Sequence, residues 1–138
     1  MRLEAQRKET VIKMKKIFTD KAPVAIGPYS QAYVVNGIVY TSGQIPVDPV
    51  DGKVPEGIVA QAEQSCKNVG AVLQAAGSDY QYVIKTTCFL ADMGDFAAFN
   101  EVYAKHFPSN PARSCVAVKT LPKNVLCEIE VIAEIQGN

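Results

Sequence analysis

The stretch Pro111-Ala112-Arg113-Ser114-Cys115-Val116-Ala117-Val118 places one arginine where a proline-fixed loop runs into an apolar, β-branched strand. A guanidinium is always charged and offers a rigid fork of donors, so at a strand end it suits bidentate capture of a planar carboxylate. Most arginines in such places are solvated or pair with a surface acid. The case for Arg113 as the functional centre therefore rests on what the rest of the chain brings to it. Gly43 closes a β-rich run; a glycine there lets a ligand approach the backbone and frees its N–H, although turn-making is the commoner reason. Asn100 lies one position round from a helical apolar stripe, either a satisfied polar residue at the core edge or a group facing a cleft. Cys115 sits inside the strand with no histidine near it in sequence, which favours a packing thiol over a nucleophile. Cys66, Cys88, Cys115 and Cys127 are far apart, and His106 is the single histidine. That is a poor set for zinc. With no phosphate-binding glycine loop either, the expectation is an activity without metal or cofactor.

The 138 residues suit one domain, with 14 basic and 14 acidic residues and a formal charge of zero. Phosphate binding calls for a basic stripe, so nucleic acid is disfavoured as a partner. No apolar run approaches the length of a membrane span and nothing resembles a signal peptide, which together with isolated cysteines implies reduced thiols and a cytoplasmic home. Residues 1–16 are charged and poor in apolar positions and read as a flexible extension, with Met14 a possible alternative start; 17–138 read as the domain.

The elements that must hold Arg113 follow from periodicity. Asn36-Gly37 between two β-rich runs, Tyr29 to Val35 and Ile38 to Ser42, is a strong hairpin signal. Ile58, Ala62, Cys66, Val69, Leu73 and Ala76 draw one stripe on a helix closed by Gly77. Val83 to Leu90 is rich in β-formers. A second helix begins near Asp95, a fair N-cap, and repeats apolar residues at Phe96, Phe99, Tyr103 and Phe107. Arg113 to Lys119 forms a strand, and a six-residue connection leads to a last strand in which Cys127, Ile129, Val131, Ala133 and Ile135 point one way and Glu128, Glu130, Ile132 and Glu134 the other. The order is β-β-α-β-α-β-β, an α+β mixed sheet. Two helices can cover only one of its faces, and the second is too apolar for plain solvation, which argues for a homo-oligomer.

Five motifs carry a resemblance: Ala25-Ile26-Gly27-Pro28-Tyr29-Ser30-Gln31-Ala32, Thr41-Ser42-Gly43-Gln44-Ile45, Pro111 to Val116, Leu121-Pro122-Lys123 and Glu128 to Ala133. In this order, over about Ala22 to Ile135, they closely resemble the RidA group of the YjgF-like reactive intermediate deaminase family. The resemblance implies a chorismate-mutase-like fold, a homotrimer with clefts between subunits, and hydrolysis of 2-imino acids or their enamine tautomers, such as 2-iminobutanoate and 2-iminopropanoate, to 2-keto acids and ammonia. Such imines are released by pyridoxal-phosphate dehydratases. Carried over by position, the substrate site falls on Tyr29, Ser42, Gly43, Asn100, Arg113 and Cys115, with Arg113 and Glu128 catalytic.

In that scheme Arg113 clamps the carboxylate, Gly43 N–H and the backbone at Cys115 fix the remaining oxygens, and Glu128 holds or activates the attacking water. Apart from the resemblance, a surface acid on an edge strand is the commoner account of Glu128, and a core cap the commoner account of Tyr29, whose place after Gly27-Pro28 suggests a pocket wall. Two other classes stay open: a non-catalytic 2-keto acid sensor using the same site, and a ribonuclease or translation inhibitor. If Lys119 and Leu126 flank a hairpin, Arg113 faces Ile132 and Glu128 lies roughly 13 Å along the partner strand. That is too far for both to serve one small substrate, so Arg113 of one chain is expected to work with Glu128 of the next.

Overall fold

Asn36 and Gly37 adopt φ values of 51° and 76°, the paired left-handed conformation that turns two strands back on each other with the native twist. They join β2 (Ala32–Val35) to β3 (Ile38–Thr41), antiparallel with Val35 opposite Ile38. In the computed structural model, which describes residues 13–136, this hairpin belongs to a six-stranded sheet. The other strands are β1 (Met14–Ile17), β4 (Val83–Leu90), β5 (Ala112–Ala117) and β6 (Cys127–Glu134), and the order across the sheet is β1-β2-β3-β6-β4-β5. All neighbours are antiparallel except β4 and β5.

The β-β-α-β-α-β-β series is present, with one strand added in front. β1 pairs Met14 with Val35 and Ile17 with Ala32, so the sheet begins inside the segment that the sequence assigns to an extension. The reason is one residue: Ile17 is buried and anchors a strand whose other side chains are solvated. Residues 1–12 lie outside the described part of the chain.

The larger correction concerns the last two strands. β5 and β6 do not form a hairpin. The helix between β4 and β5 is the crossover that parallel strands require, and it sets Arg113 beside Thr86. β6 then enters between β3 and β4, with Ile132 opposite both Tyr40 and Lys85. The connection gets there through a short 3-10 turn at Pro122–Asn124, with positive φ at Lys123 and Asn124. β6 is therefore central, and Glu128 stands on no edge strand.

The two helices are α1 (Ile58–Ala76) and α2 (Phe96–His106). The α1 stripe is as expected: Ala62, Cys66, Val69 and Leu73 are fully buried. It packs on β6, whose Cys127, Ile129, Val131 and Ala133 are buried while Glu128, Glu130 and Ile132 stand half-exposed on the opposite face. α2 packs on α1 and buries Phe99 and Tyr103, with Phe107 just beyond its last turn. Asp95 does not cap it: its side chain makes no cap bond, and Asp92 accepts from Gly94 N–H in the preceding turn. The face without helices carries Tyr40 and Ile84, each nearly half exposed.

Candidate functional site

Arg113 is built into the corner between β5 and α2. Its Nη1 donates to Asn100 Oδ1 at 2.8 Å, and its guanidinium lies 4.8 Å from the Tyr103 ring centroid and 5.5 Å from that of Phe96. Phe96, Asn100 and Tyr103 are spaced 4 and 3 apart on α2, so they share one helix face. Asn100 thus faces the arginine rather than the core. Cys115, two residues on and on the same side of β5, is half-buried. Burial pushes its thiol up and the Arg113 charge only partly opposes this. Its register neighbour Cys88 is pushed up by burial to about 12, so the strand pair carries packing thiols rather than nucleophiles.

Glu128 is built into a different place. The β3–β6 ladder runs to Tyr40 and Ile132; Thr41 Oγ1 then accepts from Val131 N–H, and Gln44 next bridges to Ile129. One extra residue is therefore inserted on the β3 side, a bulge at Ser42-Gly43. Ser42 is tied down, donating from N to Gln31 O at 2.8 Å and from Oγ to Ser30 O. Gly43 N–H, between these anchored residues, donates to none of the described groups. The Glu128 side chain lies directly over Gly43: a Cβ there would come within 3.0 Å of Glu128 Cγ and closer still to its carboxylate. Desolvation raises the Glu128 pKa, and the neighbouring Glu130 charge adds to the rise. No cation lies within ion-pair range of it among the described residues.

Beside this bulge is a cleft of about 320 Å³ lined in part by Val24, Ile26, Tyr29, Gly43, Gln44 and Lys123. Tyr29 is half-exposed at 49%, so it is a wall of this cleft and not a cap on the core. The buried Gln31 holds the loop before it, donating to Thr19 O and Pro23 O at 2.9 Å and accepting from Thr19 N–H at 2.7 Å.

Within one chain the two groups are apart. β4 separates β5 from β6, and Arg113, level with Thr86 and Val131, is three residues away from the level of Glu128. With strands near 4.8 Å apart and a rise near 3.3 Å per residue, the Cα atoms are about 14 Å apart. They also point to opposite faces, since Arg113 aligns with the buried Thr86 and Glu128 with Phe89.

A sequence profile described as Endoribonuclease L-PSP matches residues 19–135. The chain belongs to this family. It is the family of the YjgF and RidA proteins whose motifs the sequence carries. Among L-PSP relatives, the human 2-iminobutanoate/2-iminopropanoate deaminase is 52% identical over 123 residues, 88% of this chain and 89% of the human protein. A Lactococcus lactis protein bearing the regulator name AldR is 55% identical over 126 residues, 90% of this chain and 100% of its own length. The crystal structure of Escherichia coli TdcF with bound serine superposes with a TM-score of 0.85 at 47% identity, covering 88% of this chain and 98% of that one. Among the described residues no helix is long and apolar enough to cross a membrane.

Of the seven positions carried over from the L-PSP family motifs, Asn100, Arg113 and Cys115 cluster at the α2–β5 corner, and Tyr29, Ser42, Gly43 and Glu128 at the bulge and its loop. Sequence reasoning missed Phe96, Tyr103 and Thr86, which surround Arg113. The aromatic pair was visible as helix periodicity, and that it shares a face with Asn100 was the signal for a role outside the core.

Proposed function

We propose that this chain is an imine deaminase that hydrolyses 2-iminobutanoate, 2-iminopropanoate or their enamine tautomers to the 2-keto acid and ammonia. The observation that carries the reading is the near full-length identity to relatives named 2-iminobutanoate/2-iminopropanoate deaminase, 52% for the human and 50% for the mouse protein. The geometry supports it. Arg113 receives the substrate carboxylate on its unspent donors. Glu128, ionised and poorly solvated, accepts a proton from water as the oxygen attacks C2 of the protonated imine. The resulting carbinolamine takes that proton on nitrogen, the C–N bond breaks to release ammonia, and the hydroxyl proton passes to Glu128 as C2 becomes the carbonyl carbon; ammonia carries that proton away as ammonium and leaves Glu128 ionised. Gly43 N–H is available to a substrate oxygen beside Glu128.

Since one chain holds Arg113 and Glu128 about 14 Å apart on opposite faces, the complete site is formed between copies, in a homotrimer in which Arg113 of one meets Glu128 of the next. The helix-free face, on which Tyr40 and Ile84 are exposed, supplies surface for such an assembly. Its test is mixing Arg113→Ala with Glu128→Ala protein under subunit exchange. Sites with both intact groups should reappear, and verified mixed oligomers that stay inactive would rule the shared site out. The activity itself is tested by adding the protein to a serine or threonine dehydratase reaction and following loss of the imine.

The Lactococcus relative bears a regulator name, which keeps a second reading in view: a sensor that uses the same site to bind 2-keto acids without turnover. Binding of 2-oxobutanoate with no acceleration of imine loss would select it. The family description keeps a ribonuclease in view; it would need RNA binding that falls steeply with salt.

A further inference from the structure

Among the described residues Arg113 has no counter-ion. One N–H goes to Asn100 Oδ1, two aromatic rings lie against the guanidinium, and the ion pair found among the described residues, His106 with Glu63, is elsewhere. A guanidinium has five N–H donors. A carboxylate in the place of these rings would fix it as firmly but would occupy two donors and cancel its charge. A ring face attracts the cation while leaving both free for a ligand.

The nearer ring is itself fixed. Tyr103 stacks on Phe107 with centroids 4.5 Å apart and planes 27° from parallel, and its hydroxyl shares a 2.7 Å hydrogen bond with Thr86 Oγ1. Thr86 is fully buried and is the register partner of Arg113 across the β4–β5 ladder. One residue therefore sits beside the arginine backbone and also anchors the ring against its side chain. We propose that Tyr103, locked by Thr86, is the positioning residue of Arg113, and that its ring fixes the plane in which the guanidinium meets a carboxylate. The consequence for catalysis rests on the deaminase reading, whereas the positioning is a property of the chain that can be observed without turnover.

The decisive pair is Tyr103→Leu and Tyr103→Phe in the full oligomer. Both remove the hydroxyl, and only the first removes the ring. Two readouts are needed: the Arg113 Nε–Hε resonance, which a ring face displaces, and the affinity for 2-oxobutanoate. Tyr103→Phe, which keeps the ring but breaks the lock to Thr86, should keep the displaced resonance with a broader line and bind within about twofold of the parent. Tyr103→Leu should lose the displacement and bind about 2- to 30-fold more weakly, with KM rising more than kcat falls. A folded Tyr103→Leu protein with parental resonance and affinity overturns the proposal.

If Tyr103→Leu does not fold, the double variant Thr86→Val, Tyr103→Phe replaces both partners of the buried hydrogen bond and leaves neither unsatisfied. It should fold with a broadened Arg113 resonance; a resonance as sharp as the parent's overturns the lock. A parent protein that shows the displaced resonance but no imine hydrolysis removes the deaminase reading and leaves the positioning standing.

Discussion

The α2–β5 corner and the Ser42–Gly43 bulge hold their charged groups by opposite means. Arg113 is surrounded by neutral partners that attract a cation, namely two ring faces and an amide oxygen. Among the described residues Glu128 has no partner that attracts an anion; its side chain fills the space a missing Cβ leaves at Gly43, and both burial and Glu130 disfavour its charge. The first arrangement stabilises an ion, whereas the second tolerates one. A clamp must stay charged at every pH, while a base for water works by being ready to take a proton, so each device suits the role given to it.

The largest expected effect is on the bulge side. Glu128→Gln should lower kcat/KM by about 10²- to 10⁴-fold, measured with generated imine. The same change should raise the melting temperature at neutral pH. Because the folded pKa is raised, the stability linked to Glu128 is fully present below the ordinary carboxylate range and is lost as pH rises through the folded pKa. The amide escapes that loss, so the difference in melting temperature should vanish near pH 4. A variant less stable than its parent at pH 7 would show instead that a cation, such as Arg113 of a second copy in the proposed trimer, reaches Glu128.

Arg113→Lys keeps the charge and loses the planar fork. It should fold normally, since Arg113 lies outside the core, and lose about 10²-fold in kcat/KM through misplacement of the carboxylate. Near-parental turnover in a folded protein would reduce the corner to a simple positive potential. Gly43→Ala tests the other side: the new Cβ must displace Glu128, and roughly a tenfold or greater loss of kcat is expected without loss of binding at Arg113. Parental kcat would show that the position of the carboxylate is not what the glycine protects.

The smallest effect should come from Cys115→Ala. With its thiol pushed up by burial, it contributes little thiolate at neutral pH. Turnover should stay within about threefold and iodoacetamide should act slowly; rapid inactivation with stoichiometric alkylation at Cys115 would give this corner a nucleophile.

Much of this was legible in the sequence because it is local. The Asn36-Gly37 turn, the α1 stripe from Ala62 to Leu73 and the in–out alternation from Cys127 to Glu134 are each encoded in neighbouring residues. Strand order is not. Val83 to Leu90 has two edges, and nothing within it says that one takes a parallel strand and the other receives the last strand antiparallel. The six-residue connection looks like a hairpin loop until Lys123 and Asn124 are seen in left-handed conformations. The expected separation of Arg113 and Glu128 survives that error, but its cause is the intervening β4 and not register along a hairpin. The candidate positions were picked out by motif, whereas Tyr103 was hidden because an aromatic on a helix stripe reads as core.

The insertion of β6 between β3 and β4 also has a temporal consequence. During synthesis, β1 to β3 and β4 with β5 leave the ribosome before the strand that joins them. Until Cys127 to Glu134 emerge, β3 and β4 each present an unpaired edge, the surface on which nascent sheets aggregate. The strand that seals both edges is also the one that carries Glu128. No ribosome-bound chain can place the Glu128 carboxylate over Gly43 before the sheet is closed, so that arrangement and the finished fold arrive together.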